Sequence, residues 1–175
     1  MLFVKGGGGL RDFLQFPPLG GLTFNSQSLL LLSCALAEGS YTARVGGVPL
    51  LNVRYDEGAF QLDTDSYLSS SRGNHTWLAM FYNGSASIEL AADRYDDVGA
   101  ADDLGKYLCA KWNGTLVETT GGSLPFVILS LNGPTGQSYC AAALIQGYVV
   151  HFEIFSYGGT EGLNTLKQLL AGVNP

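Results

Sequence analysis

The sequence predicts an α+β fold: a mostly antiparallel β-sheet with two or three covering helices, arranged like an α/β/α sandwich. Three observations predict it. From residue 41 onward, apolar runs of strand length follow one another, several joined by two-residue turns that only antiparallel neighbours can use. Only two later stretches, 97–112 and 160–171, carry apolar residues at helical spacing. The strands therefore come in groups, with helices between and after them, and not in βαβ alternation.

Taken in order, residues 41–45, 50–55 and 59–62 are β-rich runs separated by Gly46-Gly47 and Asp56-Glu57-Gly58, which supply turns. Runs 76–82 and 85–92 flank Asn83-Gly84, a pair suited to a type I′ hairpin turn because both positions need positive φ. In that hairpin Trp77, Ala79 and Phe81 share a face with Ala86, Ile88 and Leu90, while Met80, Tyr82, Ser85, Ser87 and Glu89 lie on the other. A helix follows over 97–112, with Ala101, Leu104, Leu108 and Trp112 on one side. Asp96, Asp97, Asp102 and Asp103 lie near its start, where the helix dipole favours negative charge, and Asn113-Gly114 suits a left-handed cap at its end.

Four more strands are expected at 115–119, 126–131, 138–145 and 148–155. The last two are joined by Gln146-Gly147, which puts Tyr139, Ala141, Ala143 and Ile145 on one apolar face with Tyr148, Val150, Phe152 and Ile154. Cys140, Ala142, His151 and Glu153 take the opposite face. The closing helix, 160–171, has Thr160 as N-cap, a side of Leu163, Leu166, Leu169 and Leu170, and Gly172 as terminator.

Residues 40–175 thus read as a single α+β domain behind a lead-in, 1–39, that holds the glycine run 6–9, Pro17-Pro18 and an apolar segment. That segment, SLLLLSCALAEG at 28–39, has three readings: the hydrophobic part of a secretory signal cut after Ala37, a lipid-attachment box ending at Cys34, or a buried strand or short helix. Charged residues are only 14% of the chain, against roughly 25% in average soluble domains, so Ser, Thr, Asn, Gln and Gly must cover the surface. Such a surface fits an extracytoplasmic domain, secreted or held at the cell envelope. Nine Lys and Arg against fifteen Asp and Glu, without a basic cluster, argue against nucleic acid and against docking on an anionic membrane. No apolar run reaches the length of a transmembrane helix, although a lipid anchor at Cys34 stays open.

No catalytic, cofactor or metal motif stands out. Cys34, Cys109 and Cys140 lack zinc-site spacing. They read as three buried thiols or, if Cys34 is cut away or lipidated in an oxidising compartment, as one Cys109–Cys140 bridge. His75 lies beside Trp77 in a polar loop and His151 sits mid-strand, and neither carries a geometry by itself. The sequence has no G-x-S-x-G elbow, Walker loop or G-x-G-x-x-G. Asp63 with Asp65, and Asp93 with Asp96 and Asp97, offer oxygen ligands but neither continues as a calcium loop, so they read as a turn and a helix start. Asn74, Asn83 and Asn113 each open an N-x-[ST] sequon where a surface loop is expected, the last two at Asn-Gly turns.

The stretches YDEGAFQLDTDSY, AADDLGKYL and YCAAALIQGYVVHFEIFSYGG, with their order of hairpin, helix, hairpin and terminal helix over residues 50–172, resemble the PsbP-like family of small α/β/α sandwiches. That family includes extrinsic photosynthetic proteins and bacterial lipoproteins whose members share a scaffold more than an activity. The resemblance therefore implies a non-catalytic binding or accessory role and transfers no site. The alternatives are a small hydrolase-like enzyme with a dispersed active site, or a structural subunit of a larger assembly; the ligand or partner is not legible. Intact mass and thiol titration of the protein from its native host test the compartment: export predicts loss of the segment up to Ala37 and no free thiol, whereas a full-length chain with three free thiols overturns it.

Overall fold

Gly46 and Gly47, both in left-handed backbone (φ 57° and 83°), close the first hairpin of the protein, as a turn demanding two positive φ angles requires. The hairpin joins β1 (Glu38–Val45) to β2 (Val48–Asp56). Short strands β3 (Gln61–Asp63) and β4 (Ser71–Arg72) precede the long hairpin of β5 (His75–Asn83) and β6 (Ala86–Arg94). Helix α1 (Leu104–Trp112) leads into β7 (Gly114–Thr119), β8 (Val127–Gly133), β9 (Gly136–Ile145) and β10 (Tyr148–Phe155). Helix α2 (Gly159–Leu170) and the short β11 (Val173–Asn174) end the chain. The computed structural model describes residues 37–65, 70–95, 103–133, 136–155 and 159–175. Mostly antiparallel strand with two helices is thus the observed α+β class.

The main sheet has the order β3-β5-β6-β10-β9-β8-β7, with β4 also paired to β5, and every pairing is antiparallel. A second sheet, β1-β2-β11, is also antiparallel. The larger core lies on one face of the main sheet, where Phe81, Ile88, Leu90, Val150, Phe152 and Ile154 meet Leu51 and Val53 of the second sheet and Leu166 and Leu169 of α2. On the opposite face Leu108 of α1 covers Val127, Leu129, Ala142 and Val149. The sequence pattern did not anticipate that a three-stranded sheet would share the covering of the larger core with a helix.

Local chemistry explains most of the elements. Gln146 and Gly147 (φ 49° and 82°) make the two-residue turn between β9 and β10, and the two apolar rows expected there face the larger core. Asp103 caps α1, its carboxylate accepting the Lys106 amide at 3.0 Å, and Asn113 in left-handed backbone (φ 50°) ends it. Residues 97–102, the expected first part of that helix, and the side chain of Thr160, the expected N-cap of α2, lie outside the described residues. Gly172 ends α2 as expected, for an added reason: its carbonyl accepts the Arg54 amide at 2.9 Å, and a Cβ at residue 172 would collide with the Arg54 carbonyl oxygen.

Two expectations for the β5–β6 hairpin need correction. The turn residues are Gly84 and Ser85, since Asn83 pairs with Ala86, and only Gly84 has positive φ (56°). A glycine-first turn of this kind slides the pairing by two residues, so the face assignments of Ala79, Phe81, Ile88 and Leu90 survive. Trp77, however, leaves that face. The register shifts between Trp77 and Ala79, which pair with Ala91 and Leu90, so that Leu78 is the extra residue of a β-bulge and joins the larger core beside Ala79. Trp77 and His75 consequently point to the other side of the sheet. The Leu78 carbonyl, released from regular pairing, accepts the Tyr41 hydroxyl at 2.8 Å.

Tyr41→Phe removes that donor and leaves the bulge carbonyl without its partner. A loss of about 1–2 kcal/mol of unfolding free energy is expected, together with faster amide hydrogen exchange at Trp77–Ala79. An unchanged denaturation midpoint would show that the bulge holds without Tyr41.

Candidate functional site

The bulge builds a row of side chains that plain alternation would have scattered. On the face away from the larger core, His75 pairs with Asp93, which pairs with Val149; one level along, Trp77, Ala91, His151 and Ala142 follow one another across four strands; and next, Met80, Glu89, Glu153 and Cys140. Ala91 carries only a methyl between the Trp77 indole and the His151 ring. A cleft of about 330 Å³ opens over this part of the sheet, lined by His75, Glu89, Asp93, His151, Glu153 and Trp112, among others.

Asp93 is the hub. Its Oδ1 accepts a 2.6 Å hydrogen bond from His75 Nδ1, while its Oδ2 lies 3.7 Å from Lys111 Nζ and 3.9 Å from His151 Nε2. Ligand atoms of His75, Asp93 and His151 all fall within 4.8 Å of one another, and these are the described residues able to share a cation. His75 stands edge-on to Trp77 with ring centroids 4.3 Å apart, and the Trp112 ring lies 5.2 Å from that of His151. Both tryptophans and both histidines of the chain are therefore in this one place.

His151 is 6% exposed, and neither ring nitrogen has a hydrogen-bond partner. Burial lowers its pKa from the usual 6.5 to about 4; Asp93 pulls it upward, but His75 and Lys111 push it further down. The ring is therefore neutral at physiological pH and keeps a free lone pair. Glu89 and Glu153 face each other across β6 and β10. Burial raises both carboxyls; for Glu153 the neighbouring Glu89 adds to the rise, whereas His75 and a hydrogen bond from Trp77 offset it at Glu89. At Cys140 burial, reinforced by Glu153, Asp93 and Glu89, holds the thiol protonated far above its ordinary range.

Other sequence candidates fall elsewhere. Cys109 is half-buried on α1, which packs on β7 and β8, whereas buried Cys140 lies in β9 under the cleft, and each is a free thiol in this structure. Cys34, Asp96 and Asp97 lie outside the described residues. Asp93 turns into the cleft, and the Asp63 carboxylate accepts the Asp65 amide at 3.0 Å in a local turn. Asn74 and Asn113 are exposed and Asn83 is half-buried. His75 opens a strand instead of lying in a loop. Sequence reasoning treated the two histidines separately because nothing local to either announces Asp93, and the bulge that joins them exists only in the register of β5 against β6.

Comparison with known proteins adds little to this geometry. No family model and no curated protein matches the chain. Among solved structures, it is similar to the solution structure of cyanobacterial PsbP from Synechocystis sp. PCC 6803, at 12% identity over 90% of this chain and 98% of that one, with a TM-score of 0.48. This is the family that the residue pattern resembles. The likeness gives no residue of the cleft a role. Among the described residues, no helix is long and apolar enough to cross a membrane.

The low pKa of His151 has a defined sign. The folded state binds this proton less tightly than the unfolded chain, so His151 subtracts stability as pH falls from 6.5 towards 4, by about 3 kcal/mol at the end of that window. The raised Glu89 and Glu153 act in the opposite sense, taking up protons earlier in the folded state. A side-chain NMR titration isolates the histidine: its midpoint is expected near 4, and a midpoint near 6.5 would show a ring exposed to water.

Proposed function

We infer that this is a non-catalytic binding or accessory domain, acting outside the cytoplasm, whose ligand site is the cleft of His75, Asp93 and His151. The observation that carries this reading is His151, a buried ring with both nitrogens unpartnered beside a carboxylate. Native proteins rarely leave buried polar atoms unpaired, because each costs about 1–3 kcal/mol, and the exceptions gather at sites of function. The weakly charged composition and the 28–39 segment support the compartment. The absence of catalysis is supported by the chemistry of the lining: among the described residues Cys140 is its one nucleophile of the Ser, Thr or Cys kind, and burial holds that thiol protonated.

A residue kept for binding at the expense of stability can be recognised by replacement. His151→Leu, of similar volume, removes the unpaired nitrogens and is expected to raise unfolding free energy by about 1–3 kcal/mol in denaturant titrations at pH 7 with EDTA present. A loss of 1 kcal/mol or more would make His151 a structural residue and overturn this reading of the cleft.

A further inference from the structure

We propose that the cleft binds one divalent transition-metal ion of the zinc type through His75, Asp93 and His151. The inference rests on the reading of the cleft as a ligand site and names the ligand. The donor set comes first. Two imidazoles and a carboxylate suit Zn²⁺, Cu²⁺, Ni²⁺ or Co²⁺, whereas Mg²⁺ and Ca²⁺ take oxygen ligands. The chain has two histidines in all, and folding brings both to one aspartate from β5 and β10. The buried His151 ring has its unpartnered Nε2 3.9 Å from that aspartate's Oδ2, so a ligand with an empty orbital would satisfy it where no protein group does.

The distances require only small movements. Zinc bonds to imidazole nitrogen and carboxylate oxygen run about 2.0–2.2 Å. An ion between the three groups would part His75 Nδ1 from Asp93 Oδ1, now 2.6 Å apart, and draw His151 Nε2 in from its 3.9 Å separation from Oδ2. The His75 ring, whose Nδ1 proton is now donated to Asp93, would take the metal at Nδ1 by changing tautomer, its one proton then sitting on Nε2, so that the ring stays a neutral ligand. Three protein donors leave a coordination position facing the cleft, open to water or to a donor group of a partner. Lys111, in the last turn of α1, sits where it opposes the ion. Its ammonium balances the Asp93 carboxylate in the metal-free protein, and it is 39% exposed, with the Tyr107 ring 5.7 Å away as an alternative neighbour.

Because the two tryptophans of the chain abut the two histidines, intrinsic fluorescence reports on this site. With the full chain, Cu²⁺ or Ni²⁺ is expected to quench tryptophan emission at one equivalent. Zn²⁺ should compete with a chromogenic chelator for one site, and Mg²⁺ and Ca²⁺ should do neither. His151→Leu stays folded by circular dichroism yet weakens zinc binding by about 100-fold or more. Lys111→Gln, which removes the opposing charge, tightens it several-fold. Zinc that fails to compete overturns the metal inference, as does undiminished binding to His151→Leu, which would place the ion at Cys34, Cys109 or surface carboxylates. If zinc fails while His151→Leu still gains stability, the metal is wrong and the cleft reading stands; if His151→Leu loses stability, the cleft reading itself falls.

Discussion

One extra residue in β5 governs the candidate site. Without the bulge at Leu78, residues 75, 77, 79 and 81 would share a face by the two-residue period of a strand, and His75 and Trp77 would point into the larger core. With it, Leu78 and Ala79 both feed the core, and the outer end of the strand is rotated so that His75 meets Asp93. The Tyr41 hydroxyl receives the carbonyl that the bulge releases, so the second sheet, which carries Tyr41 on β1, is tied to the position of His75 on the far side of the main sheet. Bulges recur beside functional sites for this reason: they re-aim a side chain without dissolving the ladder.

The two faces of the main sheet divide the work. The face towards α2 and the second sheet is filled by large, fully buried side chains such as Phe81, Phe152, Ile88 and Ile154, and its packing stabilises the fold. The other face is partly sacrificed. Helix α1 covers Val127, Leu129, Ala142 and Val149 but leaves the β5–β6–β10 end open, where an orphaned histidine, two opposed glutamates and a lone methyl at Ala91 lie side by side. A packed apolar layer there would be more stable, and its absence is what makes the cleft a candidate for function.

The elements that depended on neighbours a few residues apart were legible. Gly46-Gly47, Gln146-Gly147 and Asn113 needed left-handed backbone and have it, and the apolar rows of β9 and β10 followed from their turn. Asn83-Gly84 misled because two turn types compete for that pair. Asn-Gly suits a turn with two positive φ angles, but Gly84-Ser85 supplies one with a single positive φ, and it is the second that forms. The second sheet was missed because β11 is only two residues long and owes its place to Gly172 touching the Arg54 backbone.

By itself, the sequence determined the class of fold, the hairpins and both helices, because these follow from local periodicity and from the φ angles that a few residues allow. Only the tertiary structure decided that His75, Asp93 and His151 belong together. Their meeting depends on a bulge that shifts one strand by a residue and on the pairing of β6 with β10, and both are set by packing against the larger core. Cross-strand register is a collective property, and no window along the chain contains it.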